Sequence, residues 1–268
     1  MSPSTCVILA AGASRRLGRP KQLERLPSGH TLLEHAVATA RAAEVARVIV
    51  VLGANAAALR DYVAGVEVVV NERWEEGQAT SLVAGVEASD ASHAVVVMTC
   101  DQPRVTAADL RSLVDAVTEA TPIAAAGYAG TVGVPACFGP SLRSKLLSLK
   151  GDAGAKSVLR DATNVQVIDV PDAAFDVDTS ADAARLASTI VVKLFGPQAR
   201  LAGAREVQVE LARPATAGNV LAALAERVPA LAASIASSRL AVNKAFAQPA
   251  DPVGPADEVA LIGMISGG

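Results

Sequence analysis

Short, almost wholly apolar runs alternate with segments of helical spacing over the first two-thirds of the chain. Cys6-Val7-Ile8-Leu9, residues 46–52, 66–70 and 94–98 are predicted strands, and the near-continuous apolar content of most of them predicts burial on both faces. Between them residues 32–43, 56–63 and 78–86 repeat apolar positions at helical spacing, and Thr106 is placed to cap a further helix opened by Ala107-Ala108-Asp109. This order predicts an α/β unit built on a doubly wound parallel sheet, with its ligand site at the carboxyl ends of the strands.

The pattern changes near Ser188. A strand at Ile190-Val191-Val192-Lys193-Leu194-Phe195 runs into Gly196-Pro197, and an alternating strand follows at 206–211. A helix at 218–227, a strand at 239–243, a Pro-rich turn and a final strand complete a β-β-α-β-β order. That order predicts a small α+β domain, a half-barrel sheet wrapped on one helix. The expected domains are therefore 1–187 and 189–268. The last strand leads to Ser266-Gly267-Gly268, and residues without a Cβ can thread a narrow channel and present the terminal carboxylate to another enzyme.

Composition narrows the function. Of the 268 residues 51% are hydrophobic but only 3% aromatic, so the core must be built from Ala, Val and Leu. The net charge is −3 and no basic run is longer than Arg15-Arg16, which predicts neither nucleic acid nor a membrane surface as partner. No apolar stretch approaches the roughly 18 residues of a membrane span, and the start lacks the features of a signal peptide; a cytoplasmic protein is expected. Cys6, Cys100 and Cys137 are far apart in apolar settings, as reduced core residues are.

The first strand runs into Leu9-Ala10-Ala11-Gly12-Ala13-Ser14-Arg15-Arg16-Leu17-Gly18-Arg19-Pro20-Lys21. Small residues after a strand let backbone N–H groups approach phosphate oxygens, and Arg15, Arg16 and Lys21 offer positive charge to a triphosphate. The string resembles the signature of the nucleotidyltransferase superfamily, and its nearest branch is the molybdenum-cofactor nucleotidyltransferases, with Leu17 where Met is usual. Further resemblances follow in order: the segment from Asn71 through Trp74, Gly77 and Ser81 to Leu82; Asp101-Gln102-Pro103; Gly133-Val134-Pro135; Gly151-Asp152-Ala153-Gly154-Ala155-Lys156; and Asp176-Val177-Asp178-Thr179-Ser180-Ala181-Asp182, with Ser180 in place of Pro.

The resemblance implies a Rossmann-like, magnesium-dependent enzyme, with manganese as the alternative metal, that joins a substrate phosphate to the α-phosphorus of a nucleoside triphosphate and expels pyrophosphate. Both reactants are anionic, so catalysis consists of positioning and charge neutralisation. Magnesium takes oxygen ligands and keeps several waters, so one or two carboxylates suffice. Asp101 and Asp178, each expected at a strand end, are the candidate ligands, and Asp176, two residues from Asp178 on the same strand face, is the substitute. Arg15, Lys21 and Asp101 are the candidate catalytic residues. Leu9, Ala10, Ala11, Gly12, Ser14, Arg15, Lys21, Asn71, Gly77, Ser81 and Asp101 are the candidate nucleotide-binding residues. Asp152 reads equally as a turn residue, Trp74 as a stacking or a structural ring, and His30, His35 and His93 as packing or surface residues. Guanylyl-transferring relatives carry L-A-G-G in the first loop; Leu9-Ala10-Ala11-Gly12 here resembles the cytidylyl branch. The resemblance thus implies CTP as substrate and molybdopterin, with or without molybdenum, as acceptor, with guanylyl transfer as the alternative.

The last domain resembles the ubiquitin-like small subunit of molybdopterin synthase through 192–196, 215–224, Pro229-Ala230-Leu231, Ala241-Val242-Asn243-Lys244 and 257–262, ending in Ser266-Gly267-Gly268. The resemblance implies that Gly268 is adenylated and converted to a thiocarboxylate that donates sulfur. It implies as partners the molybdopterin synthase large subunit and an adenylating enzyme of the ubiquitin-activating kind, with a molybdoenzyme or its chaperone as a further one. A bifunctional cofactor-biosynthesis protein is expected. The competing reading is a carrier with a non-catalytic N-terminal scaffold.

Overall fold

The computed structural model describes residues 3–212 and 215–263. The chain divides into two compact units, Met1–Arg25 with His30–Ala183, and Leu26–Gly29 with Ala184–Gly268.

Seven strands make the sheet of the first unit: β1 Ser4–Ala10, β2 Arg47–Leu52, β3 Glu67–Val70, β4 Ala94–Thr99, β5 Ile123–Tyr128, β6 Thr131–Phe138 and β7 Gln166–Asp169. Their spatial order is β3-β2-β1-β4-β6-β5-β7. The sheet is α/β and Rossmann-like, but it is mixed rather than wholly parallel, because β6 runs antiparallel to both β4 and β5. Ala129-Gly130 explains this departure. These two residues join β5 to β6 with φ of 48° and 73°, and a two-residue turn of that hand connects only antiparallel neighbours.

Alternation along the strands separates two cores. Cys6, Ile8 and Ala10 of β1 face Leu33, Ala36, Val37 and Ala40 of the helix Leu32–Ala42, with Leu110 and Leu113 of the helix Ala107–Ala116 in the same cluster. Val7 and Leu9 point the other way, into a cluster with Leu82 and Val86 of the helix Gln78–Ala88 and Val158 and Leu159 of the helix Ala155–Arg160. Burial on both faces holds for β1 at all seven positions. It fails for β3: this apolar run is an edge strand whose two end residues are exposed. Thr31 and Thr106 each begin a helix with a reciprocal capping box, with Glu34 and Asp109 as the returning carboxylates. Cys6, Cys100 and Cys137 are free and buried in one cluster. Cys6 and Cys137 flank Val96 on its two neighbouring strands, about 9–10 Å apart by strand spacing, beyond the reach of a disulfide.

The second unit holds β8 Ala187–Leu194, β9 Glu206–Ala212, β10 Ala215–Thr216, β11 Ser238–Val242, β12 Ala245–Phe246, β13 Pro252–Val253 and β14 Val259–Gly263. Five of them form a sheet in the order β12-β11-β14-β8-β9, with β14 parallel to β8 and the other neighbours antiparallel. The helix Ala217–Arg227 lays Val220 and Leu224 on Ile190, Val192, Leu194, Val209, Leu240 and Leu261. This is the β-grasp, or ubiquitin-like, arrangement. Gly196-Pro197 opens the helix Gly196–Ala202, a helix absent from the expected order, because Pro is tolerated in a first helical turn. Gly267 and Gly268 lie outside the described residues.

Candidate active site

One buried amide shapes the loop that leaves the carboxyl end of β1. Gln22 Nε2 donates to Ala10 O at 2.8 Å and to Gly12 O at 2.9 Å. Ser14 adopts left-handed backbone at φ 54°, its carbonyl accepts from the N–H groups of Leu17 and Gly18, and its Oγ accepts from Lys21 N at 3.1 Å. These bonds fold the loop back so that Lys21 returns to the strand end. A Cβ on Gly12 would meet nothing within 4 Å, so this glycine borders open space.

Lys21 Nζ lies 2.5 Å from Asp101 Oδ2 and 2.7 Å from Asp178 Oδ1, while Arg16 pairs with the second oxygen of Asp178. Burial disfavours the Lys21 charge, but the two carboxylates outweigh it and raise the pKa, so the ammonium stays charged. Asp101 follows β4, as expected. Asp178 does not stand at a strand end: residues 175–178 are irregular chain after the short turn Pro171–Ala174. Val177 N–H donates to Asp101 O at 3.0 Å, and that bond brings the two aspartates together. Asp176 is exposed, and its carboxyl is raised by partial burial and then by the charges of Asp178 and Asp101. Thr179 N and Oγ1 both donate to Asp182, which fixes the chain just after Asp178.

These groups open into a cleft of about 450 Å³, a size that suits a nucleotide. Of the expected nucleotide-binding residues, Leu9, Ala11, Gly12, Ser14, Arg15, Lys21, Gly77, Ser81 and Asp101 line it, with Arg16, Trp74, Asp152 and Asp178. Ala10 and Asn71 stand behind the lining. Ala10 gives its carbonyl to Gln22, and Asn71, 6% exposed, donates to Thr80 Oγ1 and Ser81 Oγ at 2.8 and 2.9 Å. Asn71 therefore holds the helix that carries Ser81 rather than facing the cleft. His30, His35 and His93 lie outside the lining; His35 meets Pro103 O and His93 meets Thr5 Oγ1.

Three residues support the cleft through contacts that their local sequence does not show, and Gly53 lies outside every segment singled out above. Gln102, 7% exposed, donates to Val134 O and Ala173 O and accepts from Thr99 Oγ1, tying β6 and the 171–174 turn to the end of β4. Gly53 leaves room for Ala11 and Trp74, since a Cβ there would lie 2.8 Å from Ala11 Cβ and 2.7 Å from Trp74 Cβ. Gly77, at φ 116°, has the Gly151 carbonyl where its Cβ would be, at 2.3 Å, and Ala79 N bonds that same carbonyl. The glycine brings Asp152 to the cleft wall. The Asp-Gln-Pro segment and the Gly-Asp segment flag Gln102 and Gly151, but no local signal marks their partners.

A basic loop after a central strand, facing Asp101 at the end of the neighbouring strand and Asp178 held beside it, is the arrangement of a nucleotidyltransferase. Residues 6–167 match the family model of the MobA-like NTP transferase domain, and the chain belongs to that family. Residues 192–268 match the ThiS family, so a ThiS-like β-grasp domain follows the enzyme. The chain is 36% identical over 190 residues to nicotine blue oxidoreductase of Paenarthrobacter nicotinovorans, covering 65% of this chain and 92% of that one. It resembles the structure of Rv0371c of Mycobacterium tuberculosis in complex with manganese, at 34% identity and a TM-score of 0.58 over 69% of this chain and 98% of that one. It also resembles a nucleotidyl transferase of Methanothermobacter thermautotroptrophicus, at 25% identity and a TM-score of 0.61 over 68% of this chain and 95% of that one. Among the described residues no helix is long and apolar enough to cross a membrane.

Proposed function

We propose that residues 1–187 transfer CMP from CTP to molybdopterin, releasing pyrophosphate, and that residues 189–268 carry sulfur as a thiocarboxylate on Gly268. One observation carries the first half: a single ammonium, that of Lys21, sits between the carboxylates of Asp101 and Asp178 at the mouth of the cleft. Two carboxylates converging on one cation fit a divalent metal, and the manganese-bound mycobacterial relative supports that fit. Magnesium takes oxygen ligands and keeps several waters, so one or two carboxylates with phosphate oxygens suffice. When bound, the metal supplies charge neutralisation on the reacting phosphates. Asp101 and Asp178 hold it, with Asp176 beside them, while Arg15, Arg16 and Lys21 receive the triphosphate. Leu9, Ala11, Gly12, Ser14, Gly77 and Ser81 enclose the nucleotide, and Asn71 and Ala10 support that wall from behind. The extra methyl of Ala11, accommodated by Gly53, fills space near the base and favours the smaller pyrimidine.

The ThiS-family match supports the second half; the partners in this proposal are an adenylating enzyme and the molybdopterin synthase large subunit. Pyrophosphate release from the full chain, measured with CTP, GTP and ATP against molybdopterin, tests the reading. Turnover with CTP above GTP is expected. Turnover with no nucleotide leaves a scaffold for the carrier. In that case the relative named nicotine blue oxidoreductase makes an oxidoreductase assay with nicotine blue the next test.

A further inference from the structure

The aspartates at the cleft mouth must admit two anionic reactants, and the cations on the loop side already have partners. Lys21 holds Asp101 and Asp178, Arg16 holds Asp178, and Arg15 stands 3.7 Å from Glu75. A second polar group stands on the other side of Asp101. Gln102, the residue after Asp101, donates to Val134 O at 3.1 Å, and Gly133 precedes Val134 in β6. A Cβ on Gly133 would lie 2.3 Å from Tyr128 Oη and 3.1 Å from Lys156 Cε. The missing side chain is what allows the phenol and the lysine stem to meet over the strand.

Tyr128 is half-buried, and burial, then the charge of Asp176, raise its pKa against the opposing hydrogen bond with Gln102, so the hydroxyl stays protonated and can donate. Lys156 is exposed on the helix Ala155–Arg160, whose Ala155, Val158 and Leu159 are buried and fix its place. It has no hydrogen bond or ion pair among the described residues. An ammonium and a neutral hydroxyl side by side supply four donors and no negative charge. That chemistry suits a phosphomonoester approaching a carboxylate-rich wall.

We infer that Lys156 and Tyr128 form the acceptor subsite, gripping the phosphate of the second substrate while the β1 loop holds the nucleotide. The assignment rests on the proposed transfer to a phosphorylated acceptor. The two residues position that acceptor; neither contacts the triphosphate. In the full chain, Lys156→Gln raises the KM for molybdopterin about tenfold, and Tyr128→Phe raises it less, while the KM for CTP stays within about twofold. Lys156→Arg, which keeps the charge, restores most of the loss. A KM for molybdopterin unchanged in Lys156→Gln, or an equal rise in the KM for CTP, overturns the subsite. Equilibrium dialysis of molybdopterin without nucleotide separates the two ideas. If the wild type turns over no nucleotide, the transferase reading fails, yet weaker retention of molybdopterin by Lys156→Gln still supports the subsite. Equal retention by both, or none by the wild type, overturns it.

Discussion

The two units solve opposite problems of assembly. In the first, the chemistry gathers from segments far apart in the chain: Lys21 from the β1 loop, Asp101 from the end of β4, Asp178 from an irregular stretch, and Asp152 through the Gly77–Gly151 contact. In the second, the candidate chemistry follows in the same stretch of chain as β14, Val259–Gly263, which the parallel pairing with β8 places in the sheet. A site collected from distant segments depends on every contact that aligns them. A site at the end of one strand depends on that strand and the sheet beneath it. The two proposed activities should therefore respond separately to damage.

The sharpest break of that contrast is deletion of Gly268. Sulfur loading, read as an increase of about 16 Da when sulfur replaces oxygen in the terminal carboxylate, is expected to disappear, with pyrophosphate release unchanged. Loss of both would mean that the units work as one. Next in size, Asp101→Asn removes a charge from the cation site and should slow nucleotidyl transfer about 10²–10³-fold. The same variant should acquire sulfur like the wild type, as intact-mass analysis would reveal.

Gly77→Ala sharpens the comparison structurally. Its Cβ would meet the Gly151 carbonyl at 2.3 Å in a left-handed conformation, so a loss of about 1–3 kcal/mol is expected. Calorimetry should show it in the melting of the first unit alone, together with a raised KM for nucleotide. A wild-type melting profile would mean that the 77–151 contact is not needed.

The smallest effect is one of pH. Burial lowers the pKa of His35 below 6.5, so the neutral ring is favoured in the fold, where it contacts Pro103 O. The folded state then binds fewer protons than the unfolded one. The His35 contribution is complete above about pH 6.5 and is lost as pH falls below that value towards the lowered pKa. A His35→Gln variant should flatten the stability of the first unit across that window; an unchanged slope would remove His35 as its source.

Much of this molecule is legible in its sequence, and the exceptions have causes. β1, β2 and β4 announce themselves as apolar runs because a central strand covered on both faces needs nothing else. β3 sends the same signal yet lies at an edge, since an apolar run does not record how many neighbours a strand has. The β5–β6 hairpin is hidden because Ile123-Ala124-Ala125-Ala126 lacks the β-branched alternation of a strand, and Ala129-Gly130 is an uncommon turn pair. In the candidate site, Lys21, Asp101 and Asp178 belong to recognisable segments. Asn71 reads as a ligand-facing residue but bonds Thr80 and Ser81, because a short motif marks proximity to a site without stating which way a side chain points.

By itself the sequence determined the two-part plan, the ubiquitin-like last domain and the identity of the charged residues. These depend on local periodicity and on short motifs, which act over a few residues. Only the tertiary structure decided that β6 runs antiparallel, that Val177 binds Asp178 to the end of β4, and that Gly133 lets Tyr128 and Lys156 meet. The antiparallel pairing of β6 with β4, the Val177–Asp101 bond and the meeting of Tyr128 with Lys156 join segments dozens of residues apart, through packing and hydrogen bonding that local periodicity does not record.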